Sequence, residues 1–310
     1  MTKEIPVEAT EFVKTVFDKI STLIKYGVWG NVSIDRFKRW RKQFTTEEQL
    51  YYAAYLAYQL MFYNKRDVIA LINHSFTESI REIALASIND SSYKQKDIWR
   101  EIILQTKQKI LVCPLATDSA ASSSFMIARI LRDQNIITET ELCNNVQDMI
   151  YKLRRREVKA IIFVDDMIGS GTQAIEFYTN RTDLGEKYIS IRDMIAEIKP
   201  DIPVYLTVAV APHDAVLDVI DKTGLRVIAA EILTEKNDVQ KESFWFPEDF
   251  TNGIEFLNDL ETEKNIPSKG YREKSWAVTF EHGAPDVSCP FYYKEHSEWI
   301  SLIRYRGEDV

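Results

Sequence analysis

Largely apolar runs that alternate with helical segments are the feature that most limits the fold of this chain. Residues 109–114, 160–164, 204–211 and 226–233 are rich in β-branched residues, and helical spacing recurs between them. Strands that are apolar on both faces are typical of a parallel sheet covered by helices on each side. The pattern therefore predicts an α/β fold with a mostly parallel sheet, whose ligand lies beyond the carboxyl ends of the strands.

The first third of the chain has a different pattern, in which apolar residues recur at helical spacing from about residue 8 to residue 100. We predict an N-terminal all-helical domain over residues 1–104 and an α/β domain with a C-terminal loop region over residues 105–310. Thr45 and Thr46 precede acidic residues and predict a helix start. Because base-stacking platforms usually need adjacent basic charge, we interpret five tyrosines in this region as packing residues: Tyr51, Tyr52, Tyr55, Tyr58 and Tyr63.

Composition excludes several classes of protein. The 310 residues include 39 basic and 47 acidic side chains, and the net charge of -8 argues against a whole-surface electrostatic grip on nucleic acid. The three cysteines are widely spaced and form no CxxC pair, so we expect neither a disulfide framework nor a zinc knuckle. No apolar run approaches the roughly 20 residues needed to span a bilayer. We therefore expect a cytoplasmic protein without a membrane association.

The strongest chemical signal is an apolar strand that ends in Asp165 and Asp166 and is followed by Ile-Gly-Ser-Gly-Thr-Gln at residues 168–173. Two adjacent carboxylates at a strand end can accept hydrogen bonds from two vicinal sugar hydroxyls. Glycines allow a close turn, and the amides and hydroxyls that follow converge at a helix N-terminus, which favours a phosphate monoester. The alternative is an acidic helix-capping turn in another doubly wound fold.

Residues 163–172, Phe-Val-Asp-Asp-Met-Ile-Gly-Ser-Gly-Thr, resemble the phosphoribosyl pyrophosphate (PRPP) signature of type I phosphoribosyltransferases. The resemblance implies that fold for the α/β domain. It also implies that Asp165 and Asp166 hold the ribose hydroxyls. The 5-phosphate would be bound by the loop that follows, which comprises Gly169, Ser170, Gly171, Thr172 and Gln173; Gln173 stands where the family usually has threonine.

A second loop follows the earlier strand at residues 115–124 and occupies the place where that family binds pyrophosphate. Its small residues permit backbone amides to approach an anion. By the resemblance we assign Asp118 and Ser119 to substrate binding. The alternative is a simple serine-rich helix cap.

Other polar residues carry weaker signals. His282 lies in a turn-rich loop and could act as a lid over the ribose with acid–base capacity, although a surface histidine is the alternative. Residues 282–290 also loosely resemble a C-terminal loop of phosphoribosyltransferase-like proteins associated with bacterial conflict and antiviral systems. The basic run at residues 154–156 is interpreted as a solvated helix face, and a pyrophosphate or nucleic-acid contact is the alternative. The remaining histidines are isolated, so no metal ligands are assigned.

These observations leave two functional hypotheses. In the first, the protein is an enzyme that acts at ribose C1 of PRPP or a nucleotide by transfer or hydrolysis, with ligand-bound Mg²⁺. In the second, the fold is catalytically altered and senses a phosphoribosyl ligand or binds a partner. The resemblance further implies an antiviral effector whose helical domain contacts a protein or nucleoprotein partner.

Overall fold

A computed structural model describes residues 5–88, 96–115, 122–185 and 187–306 of the protein. The chain divides into two compact units. Unit 1 comprises Met1–Asp67 and Leu233–Val310, and unit 2 comprises Val68–Ile232. This division follows spatial contacts and differs from a single cut after residue 104, so the predicted domain boundary stays a prediction.

The described chain contains both helices and strands, whose bounds are as follows. The helices are α1 (Ala9–Lys25), α2 (Ile34–Arg41), α3 (Glu47–Gln59), α4 (Lys65–Ala86), α5 (Lys96–Lys107), α6 (Ser123–Asp133), α7 (Val146–Arg155), α8 (Thr172–Thr179), α9 (Ile191–Ile198), α10 (His213–Thr223), α11 (Phe250–Lys264) and α12 (Pro290–Tyr293). The strands are β1 (Met61–Tyr63), β2 (Ile110–Pro114), β3 (Ala160–Met167), β4 (Arg181–Asp183), β5 (Tyr188–Ser190), β6 (Val204–Pro212), β7 (Arg226–Leu233) and β8 (Val278–Phe280).

The central sheet has the strand order β2-β3-β6-β7. Strand β3 pairs in parallel with β2 and with β6, and Cys113 lies opposite Phe163 while Asp165 lies opposite Val208. Every residue of β2, β3 and β6 is buried, as expected for strands covered on both faces. The predicted α/β fold with a mostly parallel sheet is confirmed, and the sheet brings the carboxyl ends of β2, β3 and β6 to one edge.

The helices of unit 2 are fixed by local sequence signals and by an apolar core. Ser190 caps α9 by accepting a hydrogen bond from the amide of Asp193, and Asn145 caps α7 in the same way through Asp148. Phe163 of β3 packs edge-on against Phe177 of α8, with ring centroids 5.2 Å apart. These contacts hold α8 against the sheet immediately after the acid pair.

Unit 1 contains residues 1–67 of the predicted helical region together with residues from the C-terminal part of the chain, whereas residues 68–104 of that region belong to unit 2. Thr46 caps α3 by accepting from the amide of Gln49 at 3.1 Å, as the sequence predicts. Residues of α1–α3 share one apolar core with residues from 239–303. Tyr292, for example, is buried and donates to the carbonyl of Leu56 at 3.0 Å. The helical region is therefore packed together with the C-terminal segment.

One short strand interrupts the region predicted to be entirely helical. The helix that starts after Thr46 ends at Gln59, and Met61 begins β1 although apolar residues at helical spacing continue to Met61. Strand β1 pairs in parallel with β8, and the amide of Met61 donates to the carbonyl of Ala277 at 2.9 Å. This pairing partner is distant in sequence, so the helical periodicity around Met61 carried no sign of it.

The tyrosines of α3 and β1 confirm the packing interpretation for four of the five residues. Tyr51, Tyr52, Tyr55 and Tyr63 are buried, whereas Tyr58 is 48% exposed. Tyr55 stacks on Trp245, with ring centroids 5.0 Å apart. The buried rings are part of the core rather than a platform for nucleic-acid bases.

Candidate functional site

The acid pair lies at the carboxyl end of β3, in the middle of the central sheet. Asp165 and Asp166 are only 3% and 1% exposed. Backbone pairing continues past them, because the amide of Ile168 donates to the carbonyl of Val210 at 3.1 Å. The strand thus holds both carboxyl groups at a fixed place on the edge where ligands of open α/β sheets bind.

A single oxygen of Asp165 accepts two hydrogen bonds. The Ser123 hydroxyl donates to Oδ1 of Asp165 at 2.7 Å, and the amide of Asp166 donates to the same oxygen at 2.8 Å. Ser123 begins α6, the helix that follows β2. Sequence analysis did not single out Ser123, although its position among small polar residues after a strand was the available signal.

The two carboxyl groups interact strongly with each other. Burial raises the pKa of Asp165 well above its ordinary value, and the adjacent charge of Asp166 and a hydrogen bond to that side chain raise it further. The Ser123 hydroxyl acts in the opposite direction by stabilising the ionised form. Two neighbouring carboxyls in a poorly solvated place resist simultaneous ionisation. A ligand that donates hydrogen bonds to the pair would stabilise its ionised form.

The bend after the acid pair depends on Gly171. This residue has φ +80° and precedes α8 in the left-handed conformation that glycine adopts most readily. A Cβ atom at this position would lie 3.0 Å from Cγ2 of Val219 and 3.3 Å from the carbonyl oxygen of Ala215. Both the backbone conformation and the close approach of α10 therefore require glycine here.

The first turn of α8 offers polar groups to a ligand. Gly171 has no side chain to cap the helix, and the amides of a first turn have no acceptor within the helix. The Ser170 hydroxyl donates to Oγ1 of Thr172 at 3.1 Å. Gly169, Ser170 and Thr172 are partly exposed and Gln173 is exposed. This bend has the donors and the positive helix end that favour a phosphate group.

The structure describes only part of the second predicted loop. Asp118 and Ser119 lie outside the described residues. Ser122 precedes α6, and its hydroxyl accepts from the amide of Ser124 at 3.4 Å. A serine cap is thus present at this helix, as the alternative interpretation of the loop requires.

The predicted lid residue belongs to unit 1. His282 is partly exposed, and Nη2 of Arg306 lies 3.0 Å from its Nε2. Because a guanidinium can only donate, Nε2 of His282 is the acceptor in this contact. The role of His282 as a lid stays a prediction.

Two further polar residues lie at the sheet edge that carries the acid pair. His213 and Asp214 begin α10 directly after β6, and both are exposed. His213 is isolated in the sequence, because only the pairing of β6 with β3 brings this turn to the acid-pair edge.

In the basic run at residues 154–156, Arg154 and Arg155 are exposed at the end of α7, as predicted for a solvated helix face.

The metal-binding capacity of the site depends on the oxygen donors of Asp165 and Asp166. Within the described ranges, no group of three or more histidine, cysteine, aspartate or glutamate side chains could hold a metal ion. Asp165 and Asp166 supply hard oxygen ligands, but two carboxyls do not form an all-protein cage. They fit a Mg²⁺ ion that keeps waters and takes further ligands from substrate phosphates.

Comparison with known proteins gives one match. A family model described as PRTase-CE matches residues 37–304 of the chain. Searches of curated proteins and of solved structures found no match. The matched region contains the acid pair, the Gly171 bend and the loop around His282.

Proposed function

Because the chain belongs to the PRTase-CE family and is a phosphoribosyltransferase-like protein, we propose that it binds a 5-phosphoribosyl compound, either PRPP or a nucleotide. Residues 169–173 bind the 5-phosphate, and Asp165 and Asp166 accept hydrogen bonds from the ribose diol. Asp118 and Ser119 contact the pyrophosphate side of the ligand. The observation that carries the proposal is a left-handed glycine that opens a helix directly beyond a buried acid pair.

The reaction takes place at C1 of the ribose by transfer to an acceptor or by hydrolysis. The bond to the leaving group breaks with positive charge developing on the sugar ring, and the negative field of the acid pair favours that charge. Rigid attachment of the phosphate and the diol keeps C1 in place. Mg²⁺, when bound with the ligand, neutralises negative charge on the phosphates. His282 is proposed to cover the ribose.

Ligand binding has to open the arrangement around Asp165. Oδ1 of Asp165 accepts from the Ser123 hydroxyl and from the amide of Asp166 in this structure. A sugar hydroxyl therefore either replaces Ser123 or binds the remaining carboxylate oxygen. Ser123 is the first residue of α6, so displacement of its hydroxyl from Asp165 would involve the start of that helix.

A second candidate function is a sensor that binds the phosphoribosyl ligand without turnover. The raised pKa of Asp165 favours this candidate, because a carboxyl that resists ionisation supplies less negative charge to the positive charge that develops at C1. The two functions use the same residues and differ only in whether a bond at C1 is broken.

The deciding experiment measures PRPP turnover by the full chain with Mg²⁺, alone and with candidate nucleotides, alongside direct binding. Asp165→Asn and Asp166→Asn are expected to lower turnover or affinity by about 10- to 100-fold each, because each removes a charge-assisted hydrogen bond. Asp201→Asn is the matched control, since Asp201 is an exposed residue of the same unit. Binding without turnover establishes the sensor, and neither binding nor turnover contradicts the proposal.

The cellular role is proposed from the resemblance to conflict-system proteins. We propose a cytoplasmic antiviral effector whose helical region contacts a protein or nucleoprotein partner. No helix within the described parts of the chain is both long enough and apolar enough to cross a membrane. Removing residues 1–104 is an unsuitable test, since α1–α3 share a core with the C-terminal segment. Serine substitution of the exposed Tyr26 and Tyr58 is preferable, and partner binding should fall while phosphoribosyl binding persists.

A further inference from the structure

A cavity of about 220 Å³ lies in unit 1. None of its lining residues belongs to the acid pair or to residues 169–173. Three aromatic side chains contribute to its wall, namely Phe12, Tyr51 and Phe246, and three carboxylates line it, namely Glu8, Glu248 and Asp249. We call it the aromatic–acidic pocket. The rings of Phe12 and Tyr51 are 5.6 Å apart and inclined at 55°. Aromatic side chains and carboxylates therefore line the same small space.

Asp249 is the most deeply placed charge of this pocket. It is only 3% exposed, and its Oδ2 accepts a hydrogen bond from the Tyr51 hydroxyl at 2.6 Å. Asp249 also precedes α11, whose positive end compensates part of its charge. Among the ion pairs of the described residues, none involves Glu8, Glu248 or Asp249. A buried carboxylate without a cationic partner is energetically unfavourable.

The surroundings of Asp249 disfavour its negative charge, which a bound cation would stabilise. Burial raises the pKa of Asp249, and the charge of Glu248 raises it further, whereas the Tyr51 hydroxyl lowers it. Burial also raises the pKa of Tyr51, whose proton therefore stays on the phenol and in the hydrogen bond. One oxygen of Asp249 remains for a ligand that donates a hydrogen bond.

The size and shape of the pocket limit the ligand. Its volume lies below the roughly 300–1,000 Å³ typical of sites for drug-sized molecules. Phe246 is 45% exposed although it is a large aromatic residue, and its ring packs edge-on against Tyr55 with centroids 4.9 Å apart. A planar guanidinium stacks on aromatic faces, donates to carboxylates and is more weakly hydrated than an ammonium. A single arginine side chain matches each of these properties.

We propose that the aromatic–acidic pocket binds the guanidinium group of an arginine side chain presented by a partner polypeptide. The guanidinium donates to the free oxygen of Asp249 and packs against the rings of Phe12 and Phe246. Glu8 and Glu248 attract the cation to the pocket. This inference does not depend on the phosphoribosyl site, whose acid pair and phosphate loop belong to unit 2.

The test is a calorimetric titration of the full chain with N-acetylarginine amide, with N-acetylcitrulline amide as a neutral analogue of nearly the same shape. The arginine compound is expected to bind with a Kd on the order of 1 mM, given one cation–π contact and one charge-assisted hydrogen bond. The citrulline compound should bind at least about 10-fold more weakly. Equal binding of the two compounds, or no saturable binding of the arginine compound, overturns the proposal.

Two variants locate the binding. Asp249→Asn keeps an acceptor for Tyr51 and should weaken arginine binding about 10-fold, and Phe246→Ala should weaken it about threefold. Phe246→Ala keeps the test decisive if Asp249→Asn does not fold, because the Phe246 side chain is half exposed. Glu263→Gln removes the same charge from an exposed position of α11 and should leave the affinity unchanged. Arginine binding that is insensitive to both pocket variants also overturns the proposal.

Discussion

Asp165 and Asp249 are both buried carboxyl groups, but their surroundings differ. Asp165 lies beside a second carboxyl and accepts from Ser123, so its neighbours both add and offset negative charge. Asp249 accepts from the Tyr51 phenol and lies beside the positive end of α11. A ligand can reduce the repulsion between Asp165 and Asp166, whereas one oxygen of Asp249 already accepts from a residue of the fold. The comparison separates a carboxyl that primarily serves a ligand from one that also stabilises the fold.

The largest expected effect concerns the bend beside Asp165. Gly171→Ala should lower the free energy of unfolding by about 2 kcal/mol or more, because it forces alanine into the left-handed region and against Val219 and Ala215. Gly224→Ala is the control, since Gly224 has φ +75° and nothing within 4 Å of its would-be Cβ. Gly224→Ala should lower the free energy of unfolding only through the strained backbone conformation, by about 1 kcal/mol. Equal losses in urea unfolding would show that the contact with α10 is unimportant.

The next effect tests the structural role of the Asp249 environment. Tyr51→Phe leaves the buried Asp249 without its donor and should lower the free energy of unfolding by about 1.5–3 kcal/mol. Tyr58→Phe is the matched control, because Tyr58 belongs to the same helix and is half exposed. Chemical denaturation of both variants measures the difference. A Tyr51→Phe protein as stable as wild type would show that the hydrogen bond contributes nothing to folding.

Asp165→Asn should change stability in the opposite direction. The pKa of Asp165 is raised in the folded protein, so the folded state keeps this proton to higher pH than the unfolded chain. Stability is therefore lost as pH rises from the ordinary value of 3.8 through the raised pKa. Asparagine has no charge to bury, and the variant should be about 0.5–2 kcal/mol more stable than wild type above this window.

Unfolding measured across pH tests that prediction. The stability of Asp165→Asn should fall less steeply with rising pH than that of wild type, while Asp201→Asn should follow the wild-type curve. Parallel curves for wild type and Asp165→Asn would contradict the electrostatic conflict between the two carboxyls.

The smallest effect concerns Ser123. Ser123→Ala removes one hydrogen bond to Asp165 and should lower the free energy of unfolding by about 0.5–1.5 kcal/mol. It also removes a group that stabilises the ionised carboxylate, so the pKa of Asp165 should rise further. Ser122→Ala is the neighbouring control, since the Ser122 hydroxyl bonds to Ser124 at the start of the helix. A shift of the Asp165 titration in Ser122→Ala but not in Ser123→Ala would contradict this role.

The acid-pair site and the aromatic–acidic pocket also differ in how much of each could be predicted from the sequence. Asp165, Asp166 and Gly171 are close together in the chain, and the apolar strand before them fixes their place at a sheet edge. The aromatic–acidic pocket joins Phe12, Tyr51 and Asp249, which are far apart, and no local pattern indicates their convergence. Strand β1 escaped prediction for the same reason, because its partner is β8. Local chemistry was predictable, whereas contacts between distant segments needed the fold.

The most direct test of the account compares the affinities of ribose 5-phosphate and 2-deoxyribose 5-phosphate for the full chain, measured by calorimetry at one pH. Wild type is expected to have an affinity about 10-fold higher for the ribose compound, because the acid pair accepts from both hydroxyls of the diol. Asp165→Asn and Asp166→Asn should each reduce that preference while the contacts at the phosphate end persist. Equal wild-type affinity for the two sugars, or an undiminished preference in both variants, would contradict the central claim.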